Sequence, residues 1–169
     1  MKSDLVSKIT FFMTIGFLAA AGCNSSPSSP KTLNSAATVT VYEGLPHQLR
    51  EADLLEREKQ RPDIVTIGGF PFYTPSVAAN ETQATQLKKF LGDTRRYHTY
   101  TGEPRDCGPF HPDFAIEWTD GDSEQRILIC FSCTEARILS ENSEDTYDFN
   151  GIVELKPLLS EFSSKRPKD

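Results

Sequence analysis

The segment that most constrains this chain is Phe114–Phe131, "FAIEWTDGDSEQRILICF". Phe114, Ile116 and Trp118 occupy alternate positions, "TDGDS" supplies turn chemistry, and Ile127, Ile129 and Phe131 alternate on the way back. A period of two on both arms puts these six residues on one face, the pattern of a strand rather than a helix. The chain must therefore build an antiparallel hairpin and cover one side of it with another layer.

The surrounding sequence offers candidates for that layer. A strand is expected at Thr38–Tyr42, and a helix over 46–62, where Leu45, Leu49, Ala52 and Leu55 recur near helical spacing between Pro46 and Pro62. Ile64–Ile67 reads as a strand, followed by a Gly68-Gly69 kink and an aromatic stretch in which Pro71 suits an edge or a loop. "NETQATQLKKFLGD" is the clearest helix: Asn80 can cap it, Gln83 completes a capping box, and Gly92 supplies a stop. "TEARIL" reads as strand and "SENSED" as loop. "GIVELKPLLSEF" reads as a last helix, with Pro157 in its first turn or at a kink. The expected class is α+β, an antiparallel sheet with a central hairpin and two to three packed helices.

The N-terminus belongs to a different category. Lys2 and Lys8 precede an uncharged run from Ile9 to Ala21 that is shorter than the roughly 20 residues a bilayer span needs. Residues 1–22 read as a secretory signal peptide. "AAGC", ending at Cys23, resembles the lipobox of bacterial lipoprotein precursors, with Ala20 where Leu is usual. That resemblance implies cleavage before Cys23 and its acylation. Residues 23–37, rich in Ser, Pro and Asn, read as a flexible tether. One α+β domain is then expected over 38–164, and a disordered tail over 165–169. Asn24 is not the familiar Asp retention signal, which favours the outer membrane as the destination.

Charge narrows the partners. The chain carries a net −6, and without the leader's Lys2, Lys8 and Asp4 it stands near −7. An acidic chain without a basic stripe gains little from a phosphate backbone, so no nucleic-acid partner is expected. "RRYHTY", Arg95–Tyr100, reads as a solvated strand face.

With Cys23 set aside, Cys107, Cys130 and Cys133 remain. In an unbroken strand Cys130 and Cys133 would point to opposite faces; they share a site only if the chain bends at Phe131–Ser132. The first expectation is a disulfide from Cys107 to Cys130 or Cys133, which needs no cofactor. The alternatives are a zinc-type metal site formed by Cys107, His111, Cys130 and Cys133 and a reversible Cys130–Cys133 redox couple. A Cys107–His111 nucleophilic pair lacks any marked oxyanion hole, so a non-enzymatic role is preferred. His47 and His98 read as surface or hydrogen-bonded histidines, and Trp118 as core.

Four segments taken in order, "YEGLPHQ" (Tyr42–Gln48), "GGFPFY" (Gly68–Tyr73), "CGPFHPD" (Cys107–Asp113) and "ICFSC" (Ile129–Cys133), resemble an uncharacterised group of small exported bacterial proteins, often lipoproteins, with a C-x2-FHPD…W…CF-x-C pattern. The resemblance implies that Cys107, His111, Asp113, Cys130 and Cys133 form one local site, and it carries no activity. The expected role is structural or binding, in a lipid-anchored envelope protein whose partners are the membrane and an unknown envelope protein or ligand. The alternative is a metal-binding or thiol-redox sensor.

Overall fold

A computed structural model describes Leu33 and residues 38–103, 105–120 and 123–167. The signal peptide, Cys23, most of the tether and the last two residues lie outside the described residues. Among the described residues no helix is long and apolar enough to cross a membrane.

The elements run β1 (Val39–Glu43), α1 (Ala52–Glu58), β2 (Ile64–Ile67), β3 (Phe70–Tyr73), β4 (Val77–Ala78), α2 (Glu81–Leu91), β5 (Tyr97–Thr99), β6 (Phe114–Asp120), β7 (Ser123–Cys130), β8 (Glu135–Ser140), β9 (Ser143–Phe149) and α3 (Ile152–Ser160). Seven strands form one antiparallel sheet in the order β4-β1-β6-β7-β8-β9-β5, and β2 and β3 pair separately. The class is α+β, as expected. The β6–β7 hairpin sits at its centre, with Phe114 opposite Ile129 and Ile116 opposite Ile127. Phe131 falls outside it, because β7 ends at Cys130 and the chain turns.

The predicted apolar face is buried beneath α2 and α3. Leu87, Leu91, Leu155, Leu159 and Phe162 pack there against Val39, Val41, Ile116, Trp118 and Ile127. Leu33, from the segment read as tether, is wholly buried in the same layer. The opposite face carries a second cluster in which Ile67, Phe72, Cys107 and Phe110 cover Ala115, Leu128 and Cys130. The sheet is thus covered on both sides, by helices on one and by the β2–β3 hairpin with the Cys107 loop on the other.

Local chemistry explains most boundaries. The α2 capping box is present: Gln83 N–H donates to Asn80 Oδ1 at 2.9 Å, and Asn80 N–H to Gln83 Oε1 at 3.0 Å. Its stop is right-handed, since Gly92 has φ −76°, and the Tyr97 hydroxyl closes it by donating to the Leu91 carbonyl at 2.7 Å. Gly68 and Gly69 are more than a kink. Their positive φ values, 57° and 82°, make the two-residue loop that joins β2 to β3. A Cβ on Gly68 would lie 2.6 Å from Leu139 Cδ1, so this tip presses on the sheet.

Three expectations need correction. The first helix occupies 52–58, not 46–62: the His47 carbonyl accepts from Arg50 and Glu51 in a turn, and Leu49 is 63% exposed. "SENSED" is mostly strand, because β9 begins at Ser143. Its acidic side chains are answered from elsewhere, Glu144 by Arg137 at 3.1 Å and Asp148 by Arg105, while Tyr147 and Phe149 point into the core. Pro157 sits in the second turn of α3, beyond the first; the partner its missing N–H would leave, the carbonyl of Val153, belongs to a residue 83% exposed.

Candidate functional site

Two neighbouring constellations gather the four motif segments. The first is the thiol cluster. Residues 131–134 turn, as Cys130 and Cys133 require in order to meet, and Thr134 adopts φ 53°. Cys133 N–H donates to Cys130 Sγ at 3.2 Å. Cys107 is brought in by its loop, which Arg105 fastens to Glu135 (3.5 Å) and to Asp148. All three cysteines are buried free thiols. Burial, then contact with the Cys107 and Cys130 thiols, raises the Cys133 thiol far above its ordinary range. Such a thiol stays protonated at neutral pH and is a poor nucleophile.

His111 does not join them. Its Nε2 lies 2.9 Å from the Leu45 carbonyl oxygen, and its ring packs on His47 with centroids 4.8 Å apart. Burial holds its imidazole below the ordinary value, against the opposing pull of the Leu45 carbonyl and Asp113. The four-ligand set Cys107, His111, Cys130 and Cys133 is therefore not assembled as the spacing suggested. Among the described residues no group of three or more His, Cys, Asp or Glu is arranged to hold a metal.

The second constellation is a cleft of about 770 Å³ between α3, the ends of β1 and β6, and the 131–132 turn. Gly44, next to the lining residue Glu43, lets two of its segments cross closely. Gly44 N–H donates to the Asp113 carbonyl at 2.7 Å, and a Cβ there would lie 2.2 Å from the Pro112 oxygen. This close crossing places "YEGLPHQ" beside "FHPD". Asp113 then ties the cleft to the thiol turn, because its Oδ2 accepts from Phe131 N–H at 2.7 Å.

The C-terminal segment closes one wall. The buried Glu43 carboxylate accepts from the Ser163 hydroxyl (2.7 Å) and from the backbone N–H groups of Ser164 (3.0 Å), Lys165 (2.7 Å) and Arg166 (3.2 Å). Lys165 and Arg166, read from sequence as tail, are thus fixed against β1. The Arg166 guanidinium donates to the Leu45 carbonyl and stands 3.9 Å from both Glu51 and Asp113.

Cys107, Cys130 and Cys133 share one buried cluster without the disulfide that the sequence suggested, and His111 packs instead on His47. His98 is exposed and bonds Asn150 at 2.8 Å. Sequence reasoning missed Glu43, His47, Glu51 and Arg166. The usable signal was the quoted "YEGLPHQ" segment, whose Glu43 and His47 both line the cleft. Comparison with protein-family models, curated proteins and solved structures returned no match.

Proposed function

We propose that this chain is a lipid-anchored binding domain of the bacterial cell envelope, non-enzymatic, tethered through Cys23 and taking its ligand in the α3 cleft. The signal-like leader and the "AAGC" segment support the anchor. The observation that carries the binding role is the preformed cleft. Three separated segments supply Glu43, His47, Asp113 and Phe131 to one cavity, and hydrogen bonds that run through Glu43 and Asp113 hold its walls. A test is an NMR titration of the domain from Asn24 onward with a panel of neutral and charged small molecules. Backbone resonances of Glu51, Phe131 and Lys156 should move together for at least one member. A panel that leaves all of them in place would overturn the reading.

A second reading, a thiol-redox sensor, is favoured by the contact of the Cys133 thiol with both Cys107 and Cys130. Two thiols would yield two protons and two electrons to an external disulfide, which leaves as two thiols. Alkylation counts on protein exported to an oxidising compartment test it; three free thiols would set it aside.

A further inference from the structure

The three thiols are not equally placed for reaction. Cys130 ends β7, is wholly buried and pairs with Glu135 of β8. Cys133 is 1% exposed, in a turn fastened at both ends: Phe131 N–H donates to Asp113, and the Thr134 carbonyl accepts Phe149 N–H at 2.8 Å. Cys107 is 6% exposed, in a turn closed by Gly108 N–H donating to the Arg105 carbonyl at 3.2 Å. Among the described residues that is the only backbone–backbone hydrogen bond made by residues 105–112.

Side chains therefore hold this turn down. Phe110 packs edge-on against Phe70 with centroids 5.4 Å apart, and His111 is bonded to Leu45, which fixes the far end. On the near side of Gly108, whose φ is 80°, the polar fastening is Arg105. Its guanidinium bridges Asp148 and Glu135, which lie opposite one another on β9 and β8. Releasing Arg105 frees Cys107 to swing outward about Gly108 with no strand bond broken. Cys130 and Cys133 have no such exit, because moving them breaks the pairing of β7 or the bonds of Phe131 and Thr134.

We infer that Cys107 is the entry thiol for exchange with a small external disulfide, that Arg105 controls its release, and that Cys133 resolves the adduct. The inference rests on the thiol-redox reading above and names its residues. In the first step the Cys107 thiolate attacks one sulfur of the external disulfide. That S–S bond breaks, and the departing thiolate takes up the proton Cys107 lost. In the second step the Cys133 thiolate attacks the Cys107 sulfur, the atom its thiol already touches, and expels the other small thiolate, which takes the Cys133 proton. The products are a Cys107–Cys133 disulfide and two small thiols, two electrons having passed to the external disulfide. Cys130 stays a thiol. Because buried Cys133 holds its proton at neutral pH, the second step is the slower and the mixed disulfide accumulates.

Oxidised glutathione added to the fully reduced domain from Asn24 onward, with acid quenching and peptide mapping by mass spectrometry, tests it. An adduct should appear first on Cys107 and then give way to the Cys107–Cys133 disulfide. The adduct's rate should not depend on urea well below the unfolding midpoint, since only the turn opens. Arg105→Gln should speed its formation about tenfold, the size of one lost hydrogen bond between charged groups, while amides in β6 and β7 keep their exchange protection. Arg105→Lys, which keeps the charge, should speed it less. Should Arg105→Gln fail to fold, the order of labelling and its urea dependence in the unaltered protein decide alone. A first adduct on Cys130 or Cys133, a Cys130–Cys133 disulfide, a rate that climbs with urea from the start, or an unchanged rate in folded Arg105→Gln would each overturn the inference while leaving a redox-active cluster. Thiols that react only after denaturation would remove both.

Discussion

Asp113 Oδ2 accepts the Phe131 backbone N–H at 2.7 Å, so one carboxylate joins the end of "CGPFHPD" to the turn inside "ICFSC". The same carboxylate faces Arg166 across the cleft. A single side chain therefore couples the shape of the thiol turn to the wall that would meet a ligand.

Removing that acceptor should be costly. Asp113→Ala leaves the Phe131 N–H without its partner, and a loss of about 1–3 kcal/mol is expected. Asp113→Asn keeps an oxygen in place and should lose less. Urea denaturation of both variants measures the difference, and equal midpoints for the two would show that the bond does not matter.

The Cys133 thiol gives a pH signature. Its folded pKa is raised by burial, so in alkali the unfolded chain loses the proton first and binds fewer protons than the folded one. Stability conferred by the protonated thiol is thus intact at neutral pH and falls as pH rises through the ordinary thiol value of about 8.5. The urea midpoint should drop between about pH 8 and 9.5, before tyrosines titrate, and Cys133→Ala should flatten that drop. Native Cys133 should also react with alkylating reagent far more slowly than after denaturation.

Glu43→Gln tests the C-terminal wall. An uncharged amide accepts more weakly than a carboxylate, and its NH₂ opposes the row of backbone donors at 164–166. Hydrogen exchange at Ser164, Lys165 and Arg166 should accelerate at least several-fold, while amides in β6 and β7 keep their protection. Unchanged exchange at the three amides would count against the Glu43 grip.

The anchor is tested at Cys23. Growth with a labelled fatty acid should mark the intact protein, and Cys23→Ala should lose the label and move from the membrane to the soluble fraction. Membrane retention without label would point to a different attachment.

What was legible in the sequence is what local chemistry decides. The Phe114–Ile129 alternation and the Asn80–Gln83 capping box need no distant partner, and both appear as read, while Phe131 lies in the turn after β7. β9 was missed because its charges look like a loop until Arg105 and Arg137 arrive from elsewhere in the fold. The first helix was overextended because Leu49 is in phase yet faces solvent, a matter settled by what lies opposite. The cleft was hardest. Arg166 reaches the Leu45 carbonyl across 121 residues, and no pattern in a single strand or helix announces such a meeting. His111, spaced to join the cysteines, instead turns to Leu45 and His47, since side-chain direction follows the loop's path rather than its residue count.

The burial of Leu33 shortens the leash. Ten residue steps separate it from Cys23, so acylation there would leave the folded body within roughly 35 Å of the lipid at full stretch. A domain so held would sample a thin shell above one leaflet, and any ligands it met would be those shed at, or arriving on, that surface.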